Sequence, residues 1–293
     1  MSGSRVILSG LLSFFICSFS IPSYSEVKIG VLAPRGQLKS MKRWKSFSEY
    51  MATKLGEQVI MVPLSPADVV ASVNSGELDL VLTNPVHTAK IVQLYNAQPL
   101  ATLNKKSGPF FAGVIVAKKD SGINSSEDLK GKNVMSLKFK AAAGAYTFQT
   151  FHLYEKGIDP HKDFASMRAG KKQDDLVLAV KAGVIDAAFV RSGILEAMQR
   201  ENKINMDEFV VVDKRTGDDL KLVHSTRLYP EWYLTALQKT DAKISEKAKQ
   251  AALELSVDHP ASQAAKINGF VEPVSLGGMV AALKALKISP FNN

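Results

Sequence analysis

One segment occurs twice in this chain. Ala71-Ser-Val-Asn-Ser-Gly76-Glu-Leu-Asp79-Leu-Val-Leu-Thr-Asn84 follows the same pattern as Leu178-Ala-Val-Lys-Ala-Gly183-Val-Ile-Asp186-Ala-Ala-Phe-Val-Arg191. In each copy an apolar-periodic run ends at a glycine, which suits the left-handed position just past a helix, and a buried strand starts around the aspartate three residues later. The strands then open into different polar loops: Thr83, Asn84 and Pro85 in the first copy, Arg191, Ser192 and Gly193 in the second. A chain built this way folds as two α/β lobes, and unlike loops at equivalent positions suit closure on one small ligand.

The N-terminus narrows the setting. Arg5 precedes an apolar stretch from Val6 to Phe19, and Ser23-Tyr24-Ser25 has small residues at cleavage spacing. Residues 1–25 therefore read as a secretory signal peptide whose core falls short of the roughly 20 residues of a membrane span. The expected location is the periplasm, with no stable membrane insertion once the signal is removed. Cys17, the only cysteine, lies inside that apolar core, so the exported chain has no disulfide framework and no thiolate metal site. Its stability must come from an ordinary core, for which the length suffices.

The formal charge is +9. Nucleic-acid binding calls for basic residues clustered with aromatics. Here the lysines are scattered along expected helices with acids between them, so no nucleic-acid partner is expected. A mild positive field favours a small anion. The histidines form no metal-ligand spacing, and no phosphate loop, nucleophile elbow or Ser/His/Asp arrangement is present. Neither a metal nor a cofactor is expected.

Along the chain, 27–32 reads as a strand ending in the loop Ala33-Pro-Arg-Gly36. Met41 to Leu55 reads as a helix stopped by Gly56, and 59–62 as a strand. Ser65-Pro66 reads as a helix start that leads into the first repeat. Strands alternating with helices imply a parallel sheet, whose ligands sit outside the carboxyl ends of the strands. After the apolar run Phe110 to Ala117 the unit restarts. The strand at 133–137, a helical stretch from Ala141 to Gly157 and the helix Asp174 to Lys181 lead into the second repeat. Lys221 to Tyr229 has strand character and would return the chain to the first lobe, where helices at 243–258 and 277–286 would pack. The expected division is residues 26–112 plus 223–293 for lobe one and 113–222 for lobe two, with two crossings forming a hinge.

Several segments together carry a family resemblance: Gly30-Val-Leu, Arg43-Trp44, Asn-Ser-Gly-Glu-Leu-Asp79, Val114-Ile-Val-Ala-Lys-Lys-Asp-Ser-Gly122, Asp128-Leu-Lys-Gly-Lys132, Gly157-Ile-Asp-Pro160 and Ala179-Val-Lys-Ala-Gly183. In this order they resemble the PhnD-like phosphate, phosphite and phosphonate-binding proteins of bacterial ABC importers, across essentially the whole chain after residue 25. The resemblance implies a two-lobed type II periplasmic binding protein of α/β class, each lobe a mixed, mainly parallel sheet flanked by helices. It also implies a monomer without catalysis whose partners are a small anionic ligand and an ABC permease. Leu32-Ala-Pro-Arg-Gly36, Val190-Arg191 with Leu195-Glu196, and Ser225-Thr-Arg-Leu-Tyr-Pro-Glu-Trp232 also resemble the periplasmic sensor domains of histidine kinases of the tetrathionate type. A stand-alone sensor that signals to a histidine kinase is thus the second reading. A secreted enzyme using Asp79 or Asp186 is a third, disfavoured because their matching positions suit packing or capping.

Departures from the family pattern bear on the ligand. Where phosphonate binders carry a Ser-Thr-Ser run, this chain has Ala141-Ala142-Ala143 before Gly144, leaving only backbone N–H groups to receive an anion. The family's ligand-contacting histidine falls at about Gln173, and an acid that would face a ligand amine becomes Arg191. A guanidinium there favours a carboxylate or sulfur oxoanion over an aminophosphonate. Arg191 is the foremost candidate, with Arg35 on the equivalent first-lobe loop. Thr83, Asn84, His87 and Thr88 are candidates for further ligand contacts, and Phe110 for a cleft wall. Ala142, Ala143, Gly144, Tyr146 and Gln173 follow from the resemblance.

Overall fold

The computed structural model describes residues 26–292, and the expected signal peptide lies outside them. A first α/β run comprises β1 (Glu26–Leu32), α1 (Gln37–Leu55), β2 (Gln58–Leu64), α2 (Val69–Asn74), β3 (Leu80–Thr83), α3 (Pro85–Tyr95) and β4 (Gln98–Leu103). After the short strand β5 (Phe110–Phe111), a second run follows: β6 (Gly113–Lys118), β7 (Asn133–Ser136), α4 (Phe148–Tyr154), β8 (Ser166–Ala169), α5 (Gln173–Lys181), β9 (Ala187–Arg191), α6 (Ile194–Arg200) and β10 (Phe209–Val211). The chain returns through β11 (Tyr229–Pro230) to β12 (Tyr233–Ala236), α7 (Ala242–Glu254), α8 (Pro260–Ala265), β13 (Phe270–Val271) and α9 (Gly277–Ala285).

These strands form a six-stranded sheet in the order β13-β4-β12-β3-β1-β2 and a five-stranded sheet in the order β10-β6-β9-β7-β8. Between them, β5 and β11 pair antiparallel as a two-stranded ribbon, Phe111 opposite Tyr229 and Phe110 opposite Pro230. Both crossings between the lobes run through this ribbon. In the second sheet Val114 and Val116 face one apolar cluster while Ile115 and Ala117 face another, the period-two alternation of a strand covered on both sides. In the first, Trp44, Phe47, Met51 and Leu55 present one face of α1 to the sheet, and Gly56 ends the helix at φ 74°.

The repeat has one structure twice. Gly76 and Gly183 adopt φ of 73° and 71°, and the residues before them close their helices with identical bonds to Ala71 O and Leu178 O. The N–H of Asp79 donates to Lys28 O while its carboxylate accepts from the Lys28 N–H at 2.8 Å. Asp186 exchanges the same two bonds with Asn133, the second at 2.7 Å. Each aspartate therefore stitches its strand to the first residues of the neighbouring one. Replacing either by alanine is expected to cost about 1–2 kcal/mol in urea unfolding, as for a partly exposed charge-assisted bond, with the larger loss at Asp79, whose carboxylate also lies 3.4 Å from Lys239 Nζ. No loss at either position would contradict the stitching role.

Two local expectations need correction. Ser65 does not cap a helix: Ser65 to Asp68 form a turn, closed by the Asp68 N–H on Ser65 O, and α2 begins only at Val69. Lys221 to Leu228 is not a strand. Beyond β10 the side of β6 near Gly113 has no strand partner, and the Ser225 and Thr226 hydroxyls accept from the N–H groups of Ile115 and Gly113 at 2.9 Å each. Ser225 and Thr226, expected with the first lobe, are thus bonded to the second sheet, and the return strand is Tyr229–Pro230. The helical stretch expected from Ala141 begins at Ala143 as a wide turn, irregular at Ala145 (φ −131°), before α4 becomes regular.

Candidate functional site

The loops that follow β1, β3, β4, β7, β8 and β9, up to the next helix or strand, are residues 33–36, 84, 104–109, 137–142, 170–172 and 192–193. They hold Arg35, Lys105, Lys106, Lys138, Lys140, Lys171 and Lys172 and not one Asp or Glu. Asp68 and Asp213 stand in the loops after the outer strands β2 and β10. Part of the lysines that look scattered along the sequence are thus brought to the carboxyl ends of the strands, where such sheets bind ligands.

At the hinge end these charges converge on one carboxylate. Glu231 follows β11, and its N–H donates to Pro109 O at 2.8 Å. Its side chain has no exposed surface. Oε1 accepts from Arg191 Nη2 at 2.7 Å and from Lys105 Nζ at 3.1 Å, while Oε2 is buried without a protein partner. Burial alone would raise the pKa of this carboxyl; the charges and hydrogen bonds of Arg191 and Lys105 outweigh it and hold the group below its ordinary value. Arg43, on α1, lies within electrostatic reach of Glu231, Arg191 and Arg35, and burial pulls its pKa down to about 10. Lys105 is brought down to about 8 by burial and by the like charges of Arg191 and Arg43, against the pull of Glu231.

Arg191 is fixed from several directions. It ends β9 opposite Gly113, its N–H donates to Gln173 Oε1 at 2.7 Å, and its guanidinium lies 4.5 Å over the Phe111 ring. Gly144 permits this packing, since a Cβ there would lie 2.7 Å from the Phe111 ring and 3.1 Å from Arg191 Cβ. Thus Arg191, Gln173 and Gly144 are brought together, with Gln173 positioning the arginine backbone.

The other candidates divide. Arg35 is exposed in the turn after β1. Asn84 caps α3, its Oδ1 accepting from the N–H groups of Val86 and His87 at 3.0 and 3.1 Å, while Nδ2 donates across the lobes to Ala141 O at 3.4 Å. Thr83, His87 and Thr88 are buried and occupied with one another: His87 Nδ1 is 3.3 Å from Thr83 Oγ1, and Thr88 Oγ1 donates to Thr83 O. Burial, then the charge of Lys90, pushes the His87 pKa down to about 4, so it is neutral at ordinary pH. Phe110 is half-buried on the ribbon. The Ala142 N–H is already bonded to Lys138 O, Ala143 joins the apolar cluster at the hinge, and Tyr146 is buried with its hydroxyl 2.8 Å from His161 Nε2.

Sequence reasoning did not single out Lys105 or Glu231 as site residues, and noted Arg43 only within a family motif. The acid-free strand-end loops were the available signal for Lys105. Glu231 sits in Tyr229-Pro-Glu-Trp232, which has no period to place it.

A model of the family described as "ABC transporter, phosphonate, periplasmic substrate-binding protein" matches residues 29–275. The chain belongs to this family. It is also 31% identical over 232 residues to the tetrathionate sensor histidine kinase of Salmonella typhimurium, covering 76% of this chain and 38% of that protein. The chain thus spans well under half the length of that curated relative. Among solved structures, PhnD1 of Prochlorococcus marinus in complex with methylphosphonate superposes with TM-score 0.70 at 17% identity, covering 89% of this chain and 98% of that one. A Xanthomonas citri protein solved bound to ATP gives TM-score 0.74 at 15% identity, covering 90% and 99%. These likenesses show the two-lobed α/β fold of the phosphonate-type substrate-binding proteins. Among the described residues no helix is long and apolar enough to cross a membrane.

The lowered pKa of Lys105 gives this family member a pH signature. From about pH 8 toward 10.5 the folded protein has released the Lys105 proton while the unfolded chain still holds it, so this group's contribution to stability rises with pH. Melting temperatures measured by calorimetry at pH 8 and 10 would check this, and a Lys105→Met variant should show a flatter profile.

Proposed function

We propose that this chain is a periplasmic solute-binding protein that captures a small anion between its lobes and delivers it to an ABC importer. The observation that carries the reading is the pairing of Lys105 and Arg191 with a single buried carboxylate, Glu231, among strand-end loops free of acids. Binding acts through closure: a ligand shifts an open and closed equilibrium only as far as it binds the closed form better. Lobe-crossing contacts available to a closed form are Arg191 with Glu231, Asn84 with Ala141 O, and Lys90 Nζ with Lys140 O at 3.0 Å. The two cations of this pairing and the alanines at 141–143 support a carboxylate or sulfur oxoanion over an aminophosphonate. The protein acts as a monomer with residues 1–25 serving export.

A thermal-shift screen against phosphonates, phosphite, sulfur oxoanions and mono- and dicarboxylates tests this. At 100 times its dissociation constant a ligand adds about 2.7 kcal/mol. A shift with 2-aminoethylphosphonate alone would overturn the ligand assignment, and no shift with any anion would overturn the cleft reading itself. Signalling to a histidine kinase is the second reading, favoured by the alignment of 76% of this chain with the tetrathionate sensor kinase. Crosslinking the ligand-loaded protein in membranes separates the two by whether a permease or a kinase is captured.

A further inference from the structure

Leu38 is 88% exposed, more than any other large apolar side chain among the described residues, and every residue from Pro34 to Lys39 is exposed with it. At 3.6 residues per turn, Leu38, Met41, Lys42 and Lys45 form one stripe along α1. They lie opposite Trp44, Phe47 and Met51, which bury the other face of the helix against the sheet. Met41, Lys42 and Lys45 are exposed too, and Arg35 and Lys39 stand beside the first turn of the stripe. Glu49 is the one acid of α1, 3.8 Å from Lys45 Nζ, whereas Arg35, Lys39 and Lys42 have no ion-pair partner among the described residues. The packing of the fold accounts for none of these exposed side chains.

Their composition narrows what could cover them. A stable protein interface buries roughly 800 Å² per partner, and its centre is rich in aromatic residues and poor in lysine. This stripe, with its flanks, has three lysines, one arginine, one leucine, one methionine and no aromatic residue. A lipid surface suits it better. There a few apolar side chains enter the boundary between headgroups and acyl chains, while lysine stems lie along apolar surface and their ammonium groups stay at the level of the phosphates. We propose that the N-terminal half of α1 is a peripheral docking surface for anionic phospholipid, with Leu38 and Met41 entering the headgroup boundary and Arg35, Lys39, Lys42 and Lys45 meeting lipid phosphates. Docking is reversible, since one basic side chain near an anionic surface adds only about fivefold. The stripe starts at the carboxyl end of β1, and Arg35 lies within electrostatic reach of Arg43, so docking brings the first lobe's side of the cleft to the bilayer. This rests on the reading of the chain as a periplasmic protein that serves a membrane importer, and adds a contact that the importer does not supply.

Cosedimentation tests it, using the chain from residue 26, which carries both lobes whole, and vesicles of phosphatidylcholine alone or mixed with phosphatidylglycerol. Binding is expected with the mixed vesicles and not with phosphatidylcholine, and should be lost at about 0.5 M salt, where screening is nearly complete. Leu38→Ser should weaken binding about fivefold by removing the inserted side chain. Lys39→Glu with Lys42→Glu should weaken it about tenfold or more. Lys214→Glu with Lys221→Glu, at exposed lysines beyond β10, changes the net charge equally and should leave binding within about twofold, because those side chains lie off the stripe. All these positions are exposed, so each variant should melt with the wild type. Three results would overturn the docking surface: no binding to the mixed vesicles, equal binding to both kinds, or binding that Leu38→Ser leaves intact while both lysine pairs weaken it alike. The last is adsorption by net charge alone. None of the three bears on the anion-binding cleft, which stands or falls by the thermal-shift screen.

Discussion

Arg191→Ala should abolish ligand-induced stabilisation and also lower the melting temperature of the empty protein. Taken from the sequence alone, Arg191 is a strand-end arginine in a ligand loop, and its loss should leave the unliganded melt nearly unchanged. The structure changes that expectation, because Arg191 Nη2 is paired at 2.7 Å with a carboxylate that has no exposed surface. Removing one partner of a buried pair costs about 3–5 kcal/mol, mostly through the charge left behind. Lys105 still neutralises Glu231 from the other side and Arg191 is partly exposed, so the lower end applies. About 3 kcal/mol is roughly 6–12 °C for a chain of this size. A double-mutant cycle of Arg191→Met with Glu231→Gln should return a coupling of about 1–3 kcal/mol. A vanishing coupling would mean that the pair contributes nothing and that the loss in Arg191→Ala comes from lost packing on Phe111.

Phe148→Ala is expected to have the other large effect, on hinge mechanics as well as stability. Phe148, in the first turn of α4, stacks on Tyr229 at 3.8 Å between ring centroids and lies 5.0 Å from Phe111. It therefore sits against both strands of the ribbon that joins the lobes. The same cluster takes in Val86 and Ala89 of α3 and Met279, Ala282 and Leu283 of α9. Truncating a fully buried phenylalanine costs about 3–5 kcal/mol. Here the cavity would open at the ribbon, so the midpoint of unfolding should fall and the lobes should sample a wider range of angles, seen as a larger radius of gyration in small-angle scattering without ligand. A stability loss with no change in scattering would confine Phe148 to a packing role.

Legibility from sequence followed how local each interaction is. The helix, glycine, strand and aspartate unit was readable because all its determinants lie within a few residues, and both copies have the expected glycine conformation. The helices at 37–55, 173–181 and 277–285 were readable from apolar spacing and stops. The family resemblance gave the two-lobed plan. The ion-pair floor was not readable, because Lys105, Arg191 and Glu231 come from a loop, a strand end and the ribbon, and nothing in a local pattern couples them. The segment before Tyr229 misled because apolar residues near Thr and Ser imitate a strand, while those hydroxyls in fact satisfy the open side of β6. His87 misled differently: it stands in the first turn of α3, just past a strand end, yet its ring bonds inward to Thr83.

The position of β12 bears on the order in which the molecule can assemble. The second sheet is drawn from one continuous stretch of chain, whereas β12 inserts between β3 and β4 in the middle of the first, pairing with both. Until residue 236 is available, β3 and β4 each present an unpaired edge. The second lobe can therefore form while the first still waits for its centre strand, and the long loop so closed is the kind of non-local contact that slows folding. A lobe completed last, from both ends of the chain, leaves its apolar strand edges exposed longest. Aggregation during refolding is accordingly expected to begin there.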